Sequence, residues 1–450
     1  MGSCLEAKFG EVRMESSGVF LGPFIHSERF EQVTVVDDGI LIVRNGKVVL
    51  AEALRGRDAV TLASAHGVLG SPVVLRPGQL LLPGFVDAHV HAPQFPNAGL
   101  GYDKTLLDWL ATYTFPLEAR YADQEFATRV YDAVVRRCLG AGTTLACYFA
   151  TIHTESSLQL ARCVARAGQR ALIGKVNMNV NNPEFYNEAT QQSIDETHSF
   201  VDSVRAMQNS LVQPVITPRF AISCDMDLMK RLGDIARTKD LHIQTHISEN
   251  IGEVEAVRGL YQQCSNYADV YDKAGLLTKK TVLAHGVHLL EEELRLLAGR
   301  GTSVAHCPAS NTCLRSGMCD VRRLLDAGVT VGLGTDVSGG PSPSILDAIR
   351  AALDTSIHVS FSKKNYRPLN YQEVFYLATL GGARALDMDN IVGNFAVGKE
   401  FDALLVSVPD PDLHVGPLNS LQLLQKFIYC GSERNIKEVY VQGRQVKQGF

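Results

Sequence analysis

The stretch Leu81 to Ala92, LLPGFVDAHVHA, constrains the fold more than any other part of the chain. An apolar run leads into Asp87, His89 and His91. In an extended strand, residues two apart share a face, so His89 and His91 point together into whatever the strand borders. Two neutral imidazoles side by side form one edge of a zinc site, since zinc takes nitrogen ligands at about 2.0–2.1 Å. The same H-x-H also suits a strand that ends in two solvated or core histidines. Matching ligands at other strand ends are what would decide between these readings.

Downstream, strand-like and helix-like segments take turns. Strands are predicted at Leu81–Val90, Thr143–Tyr148, Leu172–Met178, Val212–Thr217, His242–His246, Thr281–His285, Ser303–His306 and Val331–Thr335. Helical patterns separate them, among them Asp123–Leu139, Ser156–Ala167, Asp225–Thr238 and Tyr371–Leu386. This βα rhythm predicts a (β/α)8 TIM-like barrel over residues 81–394. Both ends of the chain read differently. GILIVRNGKVVL, from Gly39, is two apolar runs around Asn45-Gly46, a hairpin signal. Phe401–Val406 is strand-like, and EVYVQGRQV, from Glu438, holds a Gln442-Gly443 turn. A small β-sandwich domain built from residues 1–80 and 395–450 is therefore expected.

Composition narrows the class. Hydrophobic residues make up 46% and charged residues 20%, enough to build a large core. A net charge of −5 implies no basic face and argues against nucleic acid as a partner. No apolar run approaches the roughly 18 residues that span a bilayer. The N-terminus lacks the apolar core of a signal peptide. Its Gly2-Ser3-Cys4 start has the look of an acylation signal, but Glu6 stands where Ser or Thr is expected. Ten cysteines without C-x-x-C or framework spacing read as reduced thiols of a cytosolic protein.

In such barrels the site lies at the C-terminal ends of the strands. The predicted first strand ends in His89 and His91, the fifth in His246, the sixth in His285 and the eighth in Asp336, while Glu249 follows His246 by three residues. Five metal-friendly residues at four strand ends of one barrel make a joint site the better reading. The H-x-E with P-C-x-x-C signature of one known class of zinc enzyme is absent.

In order and spacing, PGFVDAHVHA, QTHISEN, LAHG, AHCPASN and GLGTDVSGG resemble the amidohydrolase superfamily, specifically its mononuclear zinc aminohydrolases. LLDWLATYTFPLEAR, TTLACYFATIH, ITPRFAISC and GNFAVGKEFDALLV narrow the resemblance to members that deaminate guanine, over Gly18 to Val446. The resemblance implies one Zn2+ per chain, held by His89, His91, His246 and Asp336. It implies that His285 orients the attacking water, that Asp336 also serves catalysis and that Glu249 shuttles protons. Gln94, Arg219 and Phe220 would hold the purine base. The implied reaction is guanine plus water to xanthine plus ammonia, in a cytosolic homodimer with no membrane partner.

The residue types suit that chemistry independently. Three neutral histidines leave the metal cationic, lowering the pKa of bound water from about 15.7 towards about 7. A carboxylate such as Glu249 can protonate a ring nitrogen and later help ammonia leave. Iron in place of zinc stays open. In binuclear relatives a carboxylated lysine ends the fourth strand; Val212–Thr217 has none, and Lys175 falls in the third, so Lys175 is expected to be structural and the metal single. Arg219 either reads the O6/N7 edge of guanine or braces a loop against a carboxylate, and Phe220 either lines the pocket or packs the core. His153, His306 and Asn311 are expected to support the site or shape its loops. Cys313 and Arg315 depart from the family pattern, and an inward Arg315 would change the pocket. Rival readings are an aminohydrolase or chlorohydrolase acting on a pterin, an adenine analogue or a triazine, and an inactive scaffold relative.

Overall fold

The computed structural model describes residues 16–408 and 418–447; the acylation-like start at Gly2 to Cys4 lies outside them. Eight parallel strands, each bonded to the next, run in chain order: β1 (Phe85–His91), β2 (Thr143–Phe149), β3 (Arg170–Gly174), β4 (Val212–Pro218), β5 (His242–Ile247), β6 (Thr281–His285), β7 (Ser303–His306) and β8 (Val331–Leu333). The ring comes together between β1 and the segment after β8. There His91 N–H donates to the Val337 carbonyl (3.0 Å) and Asp336 N–H to the His89 carbonyl (2.9 Å). A TIM-like barrel results.

Every residue of β1 and β2 is buried, as strands covered on both faces must be. Val86, Ala88, Leu145, Leu172, Val215 and Val282 belong to one buried cluster with Ala383 and Leu386. The outer helices form where the sequence supplies both an apolar stripe and a cap. Gln124–Gly140 buries Phe126, Val130, Val134 and Cys138, spaced along one face, and the Asp123 carboxylate accepts the N–H groups of Glu125 and Phe126. Thr154–Ala167 stops at Gly168, whose φ of 70° few other residues take cheaply.

Among the described residues, two further sheets accompany the barrel. The six-stranded one takes Phe24–Arg29, Gln32–Val36 and Gln79–Pro83 from one end of the chain, and Ala403–Ser407, Ile436–Val441 and Arg444–Lys447 from the other. The four-stranded one holds Gly18–Leu21, Gly39–Arg44, Lys47–Ala53 and Val73–Val74. Phe20, Leu41 and Val43 of the smaller sheet share a buried cluster with Phe24, Leu81 and Tyr440 of the larger. Arg170 of β3 locks this layer to the barrel, donating from Nε and Nη2 to Asp402 (3.1 and 3.0 Å) and from Nη2 to Glu400 (2.6 Å).

Three predicted elements are divided differently in the structure. The strand expected at Leu81–Val90 is two strands in two sheets. Gln79–Pro83 pairs antiparallel with Ala403–Ser407, and β1 starts the barrel. Gly84 makes the junction, because a Cβ there would sit 2.0 Å from Thr144 Oγ1. The third strand ends at Gly174 and resumes only as Val176–Asn177. The helix expected over Tyr371–Leu386 breaks at Thr379 (φ −125°, ψ −97°), whose hydroxyl bonds back to the Phe375 carbonyl at 2.7 Å. Among the described residues, every cysteine is a free thiol and no helix is long and apolar enough to cross a membrane.

Candidate metal centre and its pocket

The ends of β1, β5, β6 and β8 bring His89, His91, His246, His285 and Asp336 together. Ligand atoms of His89, His91, His246 and Asp336 all lie within 4.8 Å of one another. His89 Nε2 is 3.1 Å and His91 Nε2 3.5 Å from Asp336 Oδ1, and the Nε2 atoms of His91 and His246 are 3.1 Å apart. Burial holds the imidazoles of His91 and His246 well below their ordinary pKa, so both are neutral. His246 Nδ1 lies 2.6 Å from the Arg219 carbonyl, which requires a proton on Nδ1 and leaves the Nε2 lone pair facing the cluster. Lone pairs that converge with a carboxylate suit a divalent cation of nitrogen and oxygen preference.

The backbone around the cluster is held in unusual shapes. Ser248, His285 and Asp336 take φ of 48°, 77° and 47°, left-handed values that cost about 1–3 kcal/mol each in non-glycine residues. Local bonds compensate: Gly286 N–H donates to the Ile247 carbonyl (2.9 Å) and Gly340 N–H to that of Asp336 (2.7 Å). Asp87 reinforces the seam between β1 and β8. Its carboxylate accepts the N–H groups of His89 (3.2 Å) and Thr335 (3.0 Å) and the Thr335 hydroxyl (2.5 Å). Burial pushes that carboxyl up to about 7 despite these bonds.

Glu249 and Asp336 both approach His285 Nε2, the latter at 3.8 Å. Glu249 Oε2 lies 3.4 Å from His285 Nε2, and its Oε1 accepts the Ser316 hydroxyl at 3.0 Å. Burial pushes the Glu249 carboxyl up to about 7, poised to give or take a proton near neutrality. Burial also opposes charge on His285, but the Glu249 and Asp336 carboxylates outweigh it and raise its pKa. His285 Nδ1 lies 2.8 Å from Asn311 Oδ1, so Asn311 supports the site as expected. Burial likewise disfavours charge on Asp336, yet the His89 hydrogen bond and the surrounding imidazoles hold its carboxyl well below the usual range.

A cavity opens onto this cluster, with Gln94, Arg219 and Phe220 on its wall. Phe220 answers both sequence readings, since it is buried in an aromatic cluster and lines the cavity. Arg219 has the carboxylate partner that one of its two readings required, and it also lies on the cavity wall. Its Nη1 and Nη2 donate to Glu118 at 2.6 and 3.2 Å, so it does pair with a carboxylate while facing the cavity. Phe115 lies under the guanidinium, 5.0 Å from ring centroid to Cζ. Leu106, Trp109, Leu110 and Leu314 supply the apolar wall. The first three come from LLDWLATYTFPLEA, which folds as a helical turn (Leu106–Trp109), a wide π turn (Leu110–Thr114) and another helical turn (Phe115–Ala119).

Other candidates lie off the cavity. Arg315 is exposed and points outward, donating to the Asp103 carbonyl at 3.0 Å; Leu314 takes the inward place. Cys313 is half-buried away from the wall. His153 precedes helix Thr154–Ala167, its carbonyl accepting the Ser157 hydroxyl at 2.9 Å. His306 is fully buried with neither ring nitrogen hydrogen-bonded, and burial lowers its pKa to about 3. Lys175 forms a buried ion pair with Glu188 and donates to the Val176 carbonyl at 3.1 Å, in keeping with a structural role. Sequence reasoning assigned no role to Glu118, Asp87, Ser316 or the apolar wall. Asp87 stands in PGFVDAHVHA, and Glu118 with most of the apolar wall in LLDWLATYTFPLEAR, so motifs held these residues without saying what each does.

The barrel, the ligands at its strand ends and a match of the Amidohydrolase family profile to residues 80–446 agree: the chain belongs to the amidohydrolase family. Within that family it is similar to guanine deaminases. It is 49% identical to the guanine deaminase of Pongo abelii over 441 residues, 95% of this chain and 96% of that protein. The Rattus norvegicus guanine deaminase is 48% identical over 448 residues, 96% and 97% of the two chains. Among solved structures, a guanine deaminase from C. acetobutylicum with guanine bound in its active site superposes with a TM-score of 0.88 at 33% identity, covering 95% of this chain and 99% of that one.

Proposed function

We propose that this chain hydrolyses guanine to xanthine and ammonia. The observation that carries the reading is one continuous cavity, with Arg219 and Gln94 on its wall and Glu249 beside the histidine–aspartate cluster at its floor. His89, His91, His246 and Asp336 would hold a single zinc, a donor set of three nitrogens and one oxygen that suits that ion. When bound, zinc supplies the Lewis acidity that makes water nucleophilic near neutral pH. The residues do the rest. N–H groups of Arg219 face the O6 and N7 acceptors of guanine, and the Gln94 amide, with one donor and one acceptor group, meets further polar positions. Phe220 packs on the ring. His285, fixed by Asn311, orients the attacking water, and Asp336 accepts its proton. Glu249 donates its proton to the ring nitrogen as oxygen adds at C2, takes up the proton of the new C2 hydroxyl and passes it to the departing amino group, so that ammonia leaves, the oxo product remains and the proton held by Asp336 restores Glu249.

The same reading includes a composite β domain of residues 1–80 and 395–450 beside a barrel of 81–394, and a cytosolic homodimer. The six-stranded sheet drawn from both ends supports the first, and the free thiols suit a reducing compartment. Light scattering checks the dimer.

The test is ammonia release from guanine by metal-loaded protein, beside a pterin, an adenine analogue and a triazine, with elemental analysis of the same sample. Rapid release from guanine and one zinc per chain are expected. A faster reaction with another ring, or two metals per chain, would overturn the assignment.

A further inference from the structure

Glu118 sits behind the cavity wall and is fully buried. Four hydrogen bonds converge on its two oxygens: Arg219 Nη1 (2.6 Å) and Nη2 (3.2 Å), the Gln94 amide (2.9 Å) and the Tyr186 hydroxyl (2.8 Å). A carboxylate has about four acceptor sites, so this one is saturated by groups that include two of the cavity's polar residues. Arg219 is itself only 2% exposed. A lone guanidinium in such a place would present a full positive charge to anything entering, undiminished by water. With a carboxylate upon it, the pair is close to neutral, and the three N–H bonds not aimed at Glu118 remain as donors.

Resting on the guanine reading above, we propose that Glu118 is a positioning residue that fixes the charge preference of the site. It holds Arg219 and Gln94 in register and cancels the guanidinium charge, so the pocket accepts an uncharged purine and disfavours an anionic one. The consequence reaches the product. Hydrolysis replaces the exocyclic amine of guanine with a second oxo group, which makes the ring a stronger acid, and the ionised form would find no compensating cation in the pocket.

The variant Glu118→Gln keeps the volume and an acceptor for Arg219 while removing the charge. Equilibrium binding of hypoxanthine, an uncharged oxopurine, and urate, a monoanion at neutral pH, is measured by calorimetry at one pH on metal-loaded protein. The wild type is expected to favour hypoxanthine, and the variant to shift the ratio towards urate by at least about tenfold, a change of about 1.4 kcal/mol. Glu118→Asp, which keeps the charge, should leave the ratio near that of the wild type even where both ligands bind more weakly. Parallel weakening of both ligands in Glu118→Gln, at an unchanged ratio, would reduce Glu118 to a brace and overturn the proposal. Should Glu118→Gln fail to fold, the wild type decides: urate bound as tightly as hypoxanthine overturns it. Binding ratios do not depend on turnover, so failure of guanine deamination is seen separately, as absent ammonia release.

Discussion

Replacing Arg219 with methionine tests the pocket's polar side and its foundation together. The side chain is 2% exposed and Glu118 is 0% exposed, so the substitution leaves a buried carboxylate with only the Gln94 amide and the Tyr186 hydroxyl. Breaking one side of a buried ion pair costs about 3–5 kcal/mol, because the remaining charge is stranded away from water. That is a large share of a total stability of about 5–15 kcal/mol. For 450 residues, with an unfolding entropy of about 2.1 cal/mol/K per residue, the melting temperature should fall by roughly 3–5 °C. Removing both charges in Glu118→Leu/Arg219→Met should recover most of this loss, since an apolar pair of similar volume commonly matches a buried ion pair. Thermal unfolding of metal-loaded protein by circular dichroism reads the stability, and ammonia release reads the chemistry. The kcat/KM for guanine should drop at least about tenfold in the single variant and stay low in the double, where stability has returned. A single variant that melts like the wild type refutes the energetic reasoning. A stable double variant with normal guanine kinetics refutes Arg219 as the reader of the base.

Three further outcomes are expected. His246→Ala should lower both metal content and melting temperature, because an ion bound only by the native state contributes about 4 kcal/mol when present at a thousand times its Kd; full metal occupancy by elemental analysis would remove His246 from the ligand set. Glu249→Gln should keep its metal but lose about 10²–10⁴ in kcat, since an amide cannot carry the proton; loss of metal would instead make Glu249 a ligand. Gly84→Ala should lower the melting temperature by an amount equivalent to about 1–3 kcal/mol of overpacking, because the new methyl meets Thr144 Oγ1 at 2.0 Å. Unchanged melting would mean that the junction yields more easily than its contacts suggest.

Much of the barrel was legible because its signals are local. Each strand is a short apolar run, and β1, β5 and β6 carry histidines at or next to their last residue, which places them at the mouth of the barrel. What escaped was non-local. Pro83-Gly84 marks a break within Leu81 to Val90 but not that its two halves join different sheets, because the run is apolar on both sides and Thr144, which crowds Gly84, lies far along the chain. Thr379 hides in the same way within a helical pattern. Glu118 was in plain view in TYTFPLE, but its partner Arg219 is 101 residues away, and no periodicity links a carboxylate to a guanidinium across such a span. Arg315 has a left-handed backbone (φ 57°) and bonds to the Asp103 carbonyl, 212 residues away, and hydropathy foretells neither.

The junction at Gly84 also bears on how the protein is made. The strand leading into β1 lies between Phe24–Arg29, made before it, and Ala403–Ser407, so residues 79–83 cannot complete their pairing until a segment translated long after them appears. A nascent chain can therefore assemble most of its barrel while the strand carrying His89 and His91 is held at its base on one side only. Metal uptake should come at the end of synthesis, once the last strands have left the ribosome. Messages with premature stops before Ala403 should yield chains that are clients of chaperones and proteases and lack even partial activity.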